Sequence, residues 1–363
     1  MKSKRIASVD VLRGFTIVAM ILVNTPGTWS HIYAPLEHAT WHGYTPTDLV
    51  FPFFLFIVGI SIHFAYKNKI KSSQTYKKIA IRSLKIVGLG LFLGWFLPHI
   101  PFFKPISELR FPGVLQRIGV VFFIAAILNL NFNWKGLLSI GIAILIGYWL
   151  WMGFAPLNGE IPTFDRAPNN WANYLDLKIF GTHTWQEDYD PEGFLSTFPA
   201  IVTSIIGILI GKVLSEYKNS KLIVLSSLGI GMLVLGYIWN LWFPINKALW
   251  SSSFVLVTAG WGTLILGIVH YLMDEKNIKF GTIFKYVGSN AIVIYFMSSF
   301  VSKTFGMIQV NDTESIHSWL YHTFYTNFIS IDKLASMLYA LTVVAFYILL
   351  GYILYKRNIF IKV

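Results

Sequence analysis

From Tyr33 to Tyr66 the chain reads YAPLEHATWHGYTPTDLVFPFFLFIVGISIHFAY. The second half is an apolar run about as long as a helix needs to cross the hydrocarbon core of a bilayer, roughly 20 residues. The first half gathers His38, Trp41, His42 and Asp48 just ahead of that run. A chain entering lipid gains nothing from imidazoles and a carboxylate at the threshold unless they cap the helix or do chemistry. Thr47 and Asp48 fit the cap. Asp48 also fits a second use, orienting an imidazole as carboxylates do in catalytic histidine pairs.

The rest of the 363-residue chain has the same character. It is 55% hydrophobic and 13% charged, with a mean hydropathy of +0.59. Soluble domains are about one quarter charged, so the deficit points to an integral membrane protein. Apolar stretches recur at roughly 8–26, 46–66, 78–97, 114–130, 136–153, 193–214, 221–241, 249–273, 281–302 and 333–355. The expectation is one all-α polytopic bundle of about ten spans over residues 1–363, surrounded by lipid. Cysteine is absent, which excludes disulfides and thiolate chemistry. The net charge of +12 sits in short clusters between apolar spans, the pattern that sets topology, and does not suggest nucleic acid. The first apolar run lacks a small-residue cleavage site and is expected to stay on the protein.

Charge orients the spans. Nineteen of the 29 lysines and arginines fall on alternate connections, among them Lys2, Lys4, Arg5, Lys67, Lys71, Lys218, Lys276 and Lys362. The positive-inside rule makes that side, and both termini, cytoplasmic. The outer side then holds the 33–48 threshold and a long connection at about 154–192. That connection carries His183, Trp171, Trp185 and several carboxylates, more than a passive loop needs. The spacings Gly90–Gly94 and Gly207–Gly211 mark candidate close helix contacts.

Polar residues within spans are costly and are candidates for function. Asp10 and Arg13 are three apart on the first span, so they either pair at the interface or meet an anion from the cytoplasm. Asn24 ends that span. Gln116 and Arg117 lie in the fourth, Asp190 and Glu192 open the sixth, Asn246 and Lys247 precede the eighth, and Asn290 lies inside the ninth. There is no Walker loop, no H-E-x-x-H zinc motif and no G-x-S-x-G elbow. No metal site is expected.

Six stretches in order, SVDVLRGFTIVAMILVN, HATWHGYTPTDLVFPFFLFIVGISI, GVLQRIGV, DPEGFLSTFPAIVTSIIGILIGK, PINKALWSSSFVLVTAG and GSNAIVIY, carry a resemblance. Together they resemble the membrane-embedded heparan-α-glucosaminide N-acetyltransferases, most closely the bacterial NagX-like branch. The resemblance runs from the first span to the ninth and looks like the catalytic membrane domain alone, without the luminal extension of the lysosomal enzyme.

It implies a transmembrane transfer of acetyl from cytoplasmic acetyl-CoA to the amine of a terminal glucosamine or related amino sugar outside. The family's catalytic histidine falls on His38, its asparagine near the acetyl group on Asn24, and its aspartate at the helix start on Asp48. Asp10, Arg13, Gln116, Arg117 and Asn290 are then expected toward the donor. Trp41, His42, Asp190, Glu192, Asn246 and Lys247 are expected toward the acceptor. His42 stands where the lysosomal enzyme has asparagine, and the stretch between Asn24 and His38 is longer than in that enzyme, so acceptor contacts are expected to differ. The expected location is a bacterial inner membrane, and a homodimer stays open. The rival readings are an amino-sugar or muropeptide transporter and a transferase of another acyl group.

Overall fold

A computed structural model describes residues 6–217 and 220–361. Lys2, Lys4, Arg5, Lys218 and Lys362 of the basic clusters lie outside these. Among the described residues the chain is helical throughout, with no strand beyond three isolated bridges. The helices are α1 (Ala7–Asn24), α2 (Pro46–Tyr66), α3 (Ser73–Trp95), α4 (Val114–Asn131), α5 (Trp134–Phe154), α6 (Trp171–Phe180) and α7 (Thr197–Glu216). They continue as α8 (Lys221–Trp239), α9 (Ser252–His270), α10 (Thr282–Gly288), α11 (Ala291–Met307), α12 (Ile316–Tyr321) and α13 (Asp332–Lys356).

Eight of these helices are long and apolar enough to cross a membrane, against the ten spans expected. The difference lies in α3 and in the 281–302 segment. The first thirteen residues of α3 carry Lys77, Lys78, Arg82 and Lys85. The 281–302 run is broken at Ser289–Asn290 into the short α10 and the 17-residue α11.

Burial sorts the spans into layers. In α2, α7 and α9 about 70% of the apolar window is buried (67, 67 and 72%), against 28% in α5 and 17% in α8. The first three form the centre, and the others turn Ile142, Ile146, Leu150, Val234 and Leu235 outward, as a lipid-facing layer does. Glycines let the central backbones approach. A Cβ on Gly59 would stand 2.0 Å from Ser204 O, and one on Gly207 would stand 2.0 Å from Phe56 O. Only hydrogen fits between α2 and α7. The two sequence spacings differ: Gly207 and Gly211 both face α2, whereas Gly90 packs against Gln116 of α4 and Gly94 has room for a Cβ, 3.4 Å from the Leu109 side chain. The same device joins α1 to α10, where a Cβ on Gly14 would reach 1.7 Å from Phe284 O.

The start of α2 is fixed locally. Pro46 occupies the first turn, where its missing N–H costs nothing. Asp48 reaches back to accept the Thr45 backbone N–H at 3.0 Å, the contact a third-position acid makes in a capping box. This pins the 37–48 segment above α2 and places the polar threshold at one end of the bundle, called here the His38 end. The opposite end, where Arg13 of α1 meets Ser61 of α2 at 2.6 Å, is the Arg13 end.

Candidate active site

At the His38 end, the cap carboxylate is also the site carboxylate. Asp48 is 1% exposed. Its Oδ2 accepts the N–H groups of Ala39 and Thr45, each at 3.0 Å. Its Oδ1 lies 2.6 Å from His38 Nδ1 and 3.3 Å from Lys247 Nζ. With Nδ1–H given to Asp48, the lone pair of His38 is left on Nε2. The ring itself is half exposed. A buried, fully bonded carboxylate thus holds a half-open imidazole in one tautomer, the arrangement general-base catalysis uses.

Lys247 completes the group. Its Nζ stands 3.0 Å from Nδ1 and 3.3 Å from Nε2 of His38. Burial pushes its ammonium below the usual lysine range, and Asp48 pulls the other way. The 240–251 connection that carries it is tightly held. Asn246 is fully buried, its side chain accepting Leu249 N at 2.9 Å and its own N–H donating to Ser251 Oγ at 3.0 Å.

These groups open on a cavity of about 260 Å³ lined by His38, Asp48, Asn24, Trp41, Glu192 and Lys247. Trp185, Tyr189 and Arg110 also line it. Trp41 donates its indole N–H to Phe164 O at 2.9 Å and meets Tyr189 edge to face at 5.2 Å. Arg110 is missing from the sequence reading, because as the last charged residue before α4 it looks like loop. Its guanidinium grips Asp190 through two bonds (2.8 and 2.6 Å) and Glu192 through one at 2.5 Å, under the Trp185 ring. Burial alone would depress this guanidinium, but Asp190 and Glu192 outweigh it and hold the group above its ordinary range.

Several expected site residues act behind the cavity wall. Asp190 is buried and spends its carboxylate on Arg110, Trp185 N and Glu192 N. His42 lies 2.8 Å from Asp165 and 3.4 Å from Asn246, bridging the threshold to the long connection.

Arg117 and Gln116, both expected toward the donor, line neither of the cavities described here. Arg117 is buried and donates to Pro191 O at 3.0 Å, to Gly193 O at 2.9 Å and to Ser196 Oγ, with its guanidinium on the Trp250 ring. It ties the start of α7 to α4 at the His38 end. Its partners are two backbone carbonyls and a serine hydroxyl, which leave no trace in a charge pattern. Gln116 packs its amide against Gly90 and Gly113.

A second cavity, of about 390 Å³, lies at the Arg13 end. Arg13, Arg82, Ser61, Ser289 and Asn290 line it. Arg13 donates to Asp10 Oδ1 at 3.0 Å, so the expected pair forms and aims the guanidinium. Arg82, which sequence reading counted only as a topology signal, brings a second guanidinium, packed on the Phe122 ring. Asn290 donates to Ile359 O and accepts from Ile361 N (2.9 and 2.8 Å), drawing the chain after α13 across the cavity mouth.

The two cavities share a strip. On α2 one is lined by Phe51 and the other by Phe54; on α4 one is lined by Val114 and the other by Ile118. About one helical turn separates them.

The fold and its cavities define the class: a polytopic helical membrane protein with a carboxylate-held histidine in one cavity and two arginines lining the next. The comparisons give the family. The family described as "Heparan-alpha-glucosaminide N-acetyltransferase, catalytic" matches residues 5–236, and the chain belongs to it. The chain is similar to human (Homo sapiens) heparan-alpha-glucosaminide N-acetyltransferase, 29% identical over 99% of this chain and 60% of the relative. It is also similar to the mouse (Mus musculus) protein of the same name, 27% identical over 99% of this chain and 61% of the relative. The chain therefore spans about 60% of the length of the curated relatives it matches.

Proposed function

We propose that the protein moves an acetyl group across the membrane, from acetyl-CoA at the Arg13 end to the amine of an amino sugar at the His38 end. One observation carries this reading: a cavity lined by Arg13 and Arg82 and a cavity lined by His38, Asp48, Glu192 and Lys247 lie on one strip of α2 and α4 with a single turn between them. From Asp48 to Ser61 the strip is about 20 Å long at 1.5 Å per residue, a span that suits an extended pantetheine arm.

In this reading Arg13 and Arg82 take the nucleotide phosphates, which a guanidinium fork matches well. Asn290 and Ser61 bond the adjoining polar groups. The thioester reaches the His38 cavity beside Asn24. Trp41, Trp185 and Tyr189 provide faces for a sugar ring, and Glu192 is placed to orient its hydroxyl or amine. The acceptor nitrogen attacks the acetyl carbon, the new C–N bond forms, and the C–S bond breaks. His38 Nε2 takes the proton the nitrogen loses and returns it to the departing sulfur. Positioned acid–base help of this kind contributes about 10²- to 10⁴-fold. Direct transfer is favoured over an acetyl-histidine intermediate.

The side assignment follows the basic clusters, which put the Arg13 end in the cytoplasm, as in a bacterial inner membrane. Purified protein given radiolabelled acetyl-CoA and glucosamine should yield labelled N-acetylglucosamine. Release of free acetate alone, or passage of unmodified glucosamine into proteoliposomes without acetylation, would contradict the proposal.

A further inference from the structure

A third cavity, of about 590 Å³, lies at the His38 end between α11, α12 and α13. It belongs to neither site above. Its volume is that of a small-ligand pocket, and its chemistry is narrow. All the polar groups on its wall but the Ser302 hydroxyl are turned to the protein itself. Thr25 Oγ1 donates to Ile21 O, Ser298 Oγ to Tyr295 O, and Tyr347 Oη to Met297 O. Tyr325 donates to Thr342 Oγ1 at 2.6 Å, and the Tyr339 hydroxyl meets His317 Nδ1 at 3.2 Å. The second nitrogen of that histidine, Nε2, is 3.1 Å from Gly27 O. What remains for a ligand is the one hydroxyl of Ser302 and otherwise carbon: Val301, Phe305, Leu320, Val343 and Phe346. A sugar, nucleotide or peptide would leave its own polar groups unpaired there, at a cost of about 1–3 kcal/mol each. A hydrocarbon chain would not.

Position links this cavity to the reaction. Thr25 lines it, while Asn24, the preceding residue, lines the His38 cavity. The end of α1 is the partition between a place for a sugar and a place for a chain.

We propose that the cavity between α11 and α13 seats the hydrocarbon part of an amphiphilic acceptor whose amino-sugar head lies in the His38 cavity. This rests on the acetyl-transfer reading above and narrows it, naming the acceptor class as a glucosamine carried on an aliphatic chain. Chain and head enter from the bilayer side together, so the acceptor need not leave the membrane to be modified.

The experiment compares methyl and dodecyl glucosaminide as acceptors for the protein in nanodiscs. The dodecyl compound should show a kcat/KM higher by on the order of tenfold or more, from methylene burial. Val343→Trp and Val301→Trp, which fill the cavity, should each collapse that ratio. Leu341→Trp, on the exposed face of α13, should keep it. An equal ratio for the two acceptors in the wild type, or a ratio unchanged by both filling variants, would overturn the proposal; the latter would mean that bilayer partition alone concentrates the substrate. A dodecyl glucosaminide bearing a terminal diazirine supplies a readout independent of turnover. It should label residues 298–305 and 339–347, with less labelling in Val343→Trp. Labelling elsewhere overturns the site, whereas labelling there without acetylation of either acceptor contradicts only the transferase reading.

Discussion

His38 Nδ1 lies 2.6 Å from Asp48 Oδ1, joining a half-exposed ring to a carboxylate that is 1% exposed and caps its own helix. One side chain thereby fixes the start of α2 and the tautomer of the candidate base. Asp48→Asn keeps the volume but presents an amide, whose N–H₂ group favours the wrong ring tautomer. Turnover is expected to fall by about 10²-fold or more with acetyl-CoA affinity unchanged. The amide oxygen still accepts the Thr45 N–H, so the cap is kept, and a stability cost of about 1 kcal/mol comes from the weaker bonds a neutral group makes. Initial rates, donor titration and a melting curve check the three parts.

The two arginines read from sequence as alike should behave differently. Arg13→Gln is expected to weaken acetyl-CoA binding at least tenfold and, because it removes the guanidinium bonded to the buried Asp10 carboxylate, to lower the melting temperature as well. Arg117→Met is expected to leave donor affinity intact and to destabilise the fold by about 1–3 kcal/mol, because Pro191 O, Gly193 O and Ser196 Oγ lose their donor. Donor titration and thermal melting of both variants separate the roles. Loss of donor affinity in Arg117→Met would return that residue to the donor route.

Asp176 of α6 makes stability depend on pH. Burial pushes its carboxyl up from 3.8 to about 7, although Phe194 N–H donates to it at 2.7 Å. The folded state therefore holds this proton more tightly than the unfolded chain. Its stabilising share is complete below about pH 4 and is lost as pH rises through 7. Asp176→Asn, uncharged throughout, should show a smaller drop in melting temperature between pH 5 and pH 8 than the wild type. Equal drops would place the carboxylate in water.

Gly193 packs under that carboxyl, and a Cβ there would lie 1.8 Å from Asp176 Oδ2. Gly193→Ala is expected to displace Asp176 and, through Glu192, to loosen the grip of Arg110 on the cavity wall. A raised KM for the acceptor, with donor affinity preserved, is the outcome to measure.

Much of this arrangement was readable in the sequence, and the gaps have physical causes. The long apolar runs give α2, α5 and α7 directly, because lipid demands an unbroken apolar helix. The break at Ser289–Asn290 is masked because the apolar residues on both sides keep the average hydropathy of the run high; beside it the backbones are close, with a Cβ on Gly288 standing 2.1 Å from Asp10 O. Proximity in the chain brings His38, Trp41 and Asp48 to one place. Arg110, Glu192 and Lys247 reach the same cavity from three distant connections, which a linear reading lists separately. Arg117 looked like a ligand because intramembrane charge is conspicuous while carbonyl partners are not.

The central claim is that His38 is the base for acetyl transfer. The most direct measurement is His38→Ala, assayed for transfer from acetyl-CoA to glucosamine alongside acetyl-CoA binding to the same preparation. The account predicts binding within about twofold of the wild type and transfer reduced by about 10²-fold or more. Wild-type turnover in His38→Ala would contradict it, leaving the threshold of α2 as no more than a helix cap.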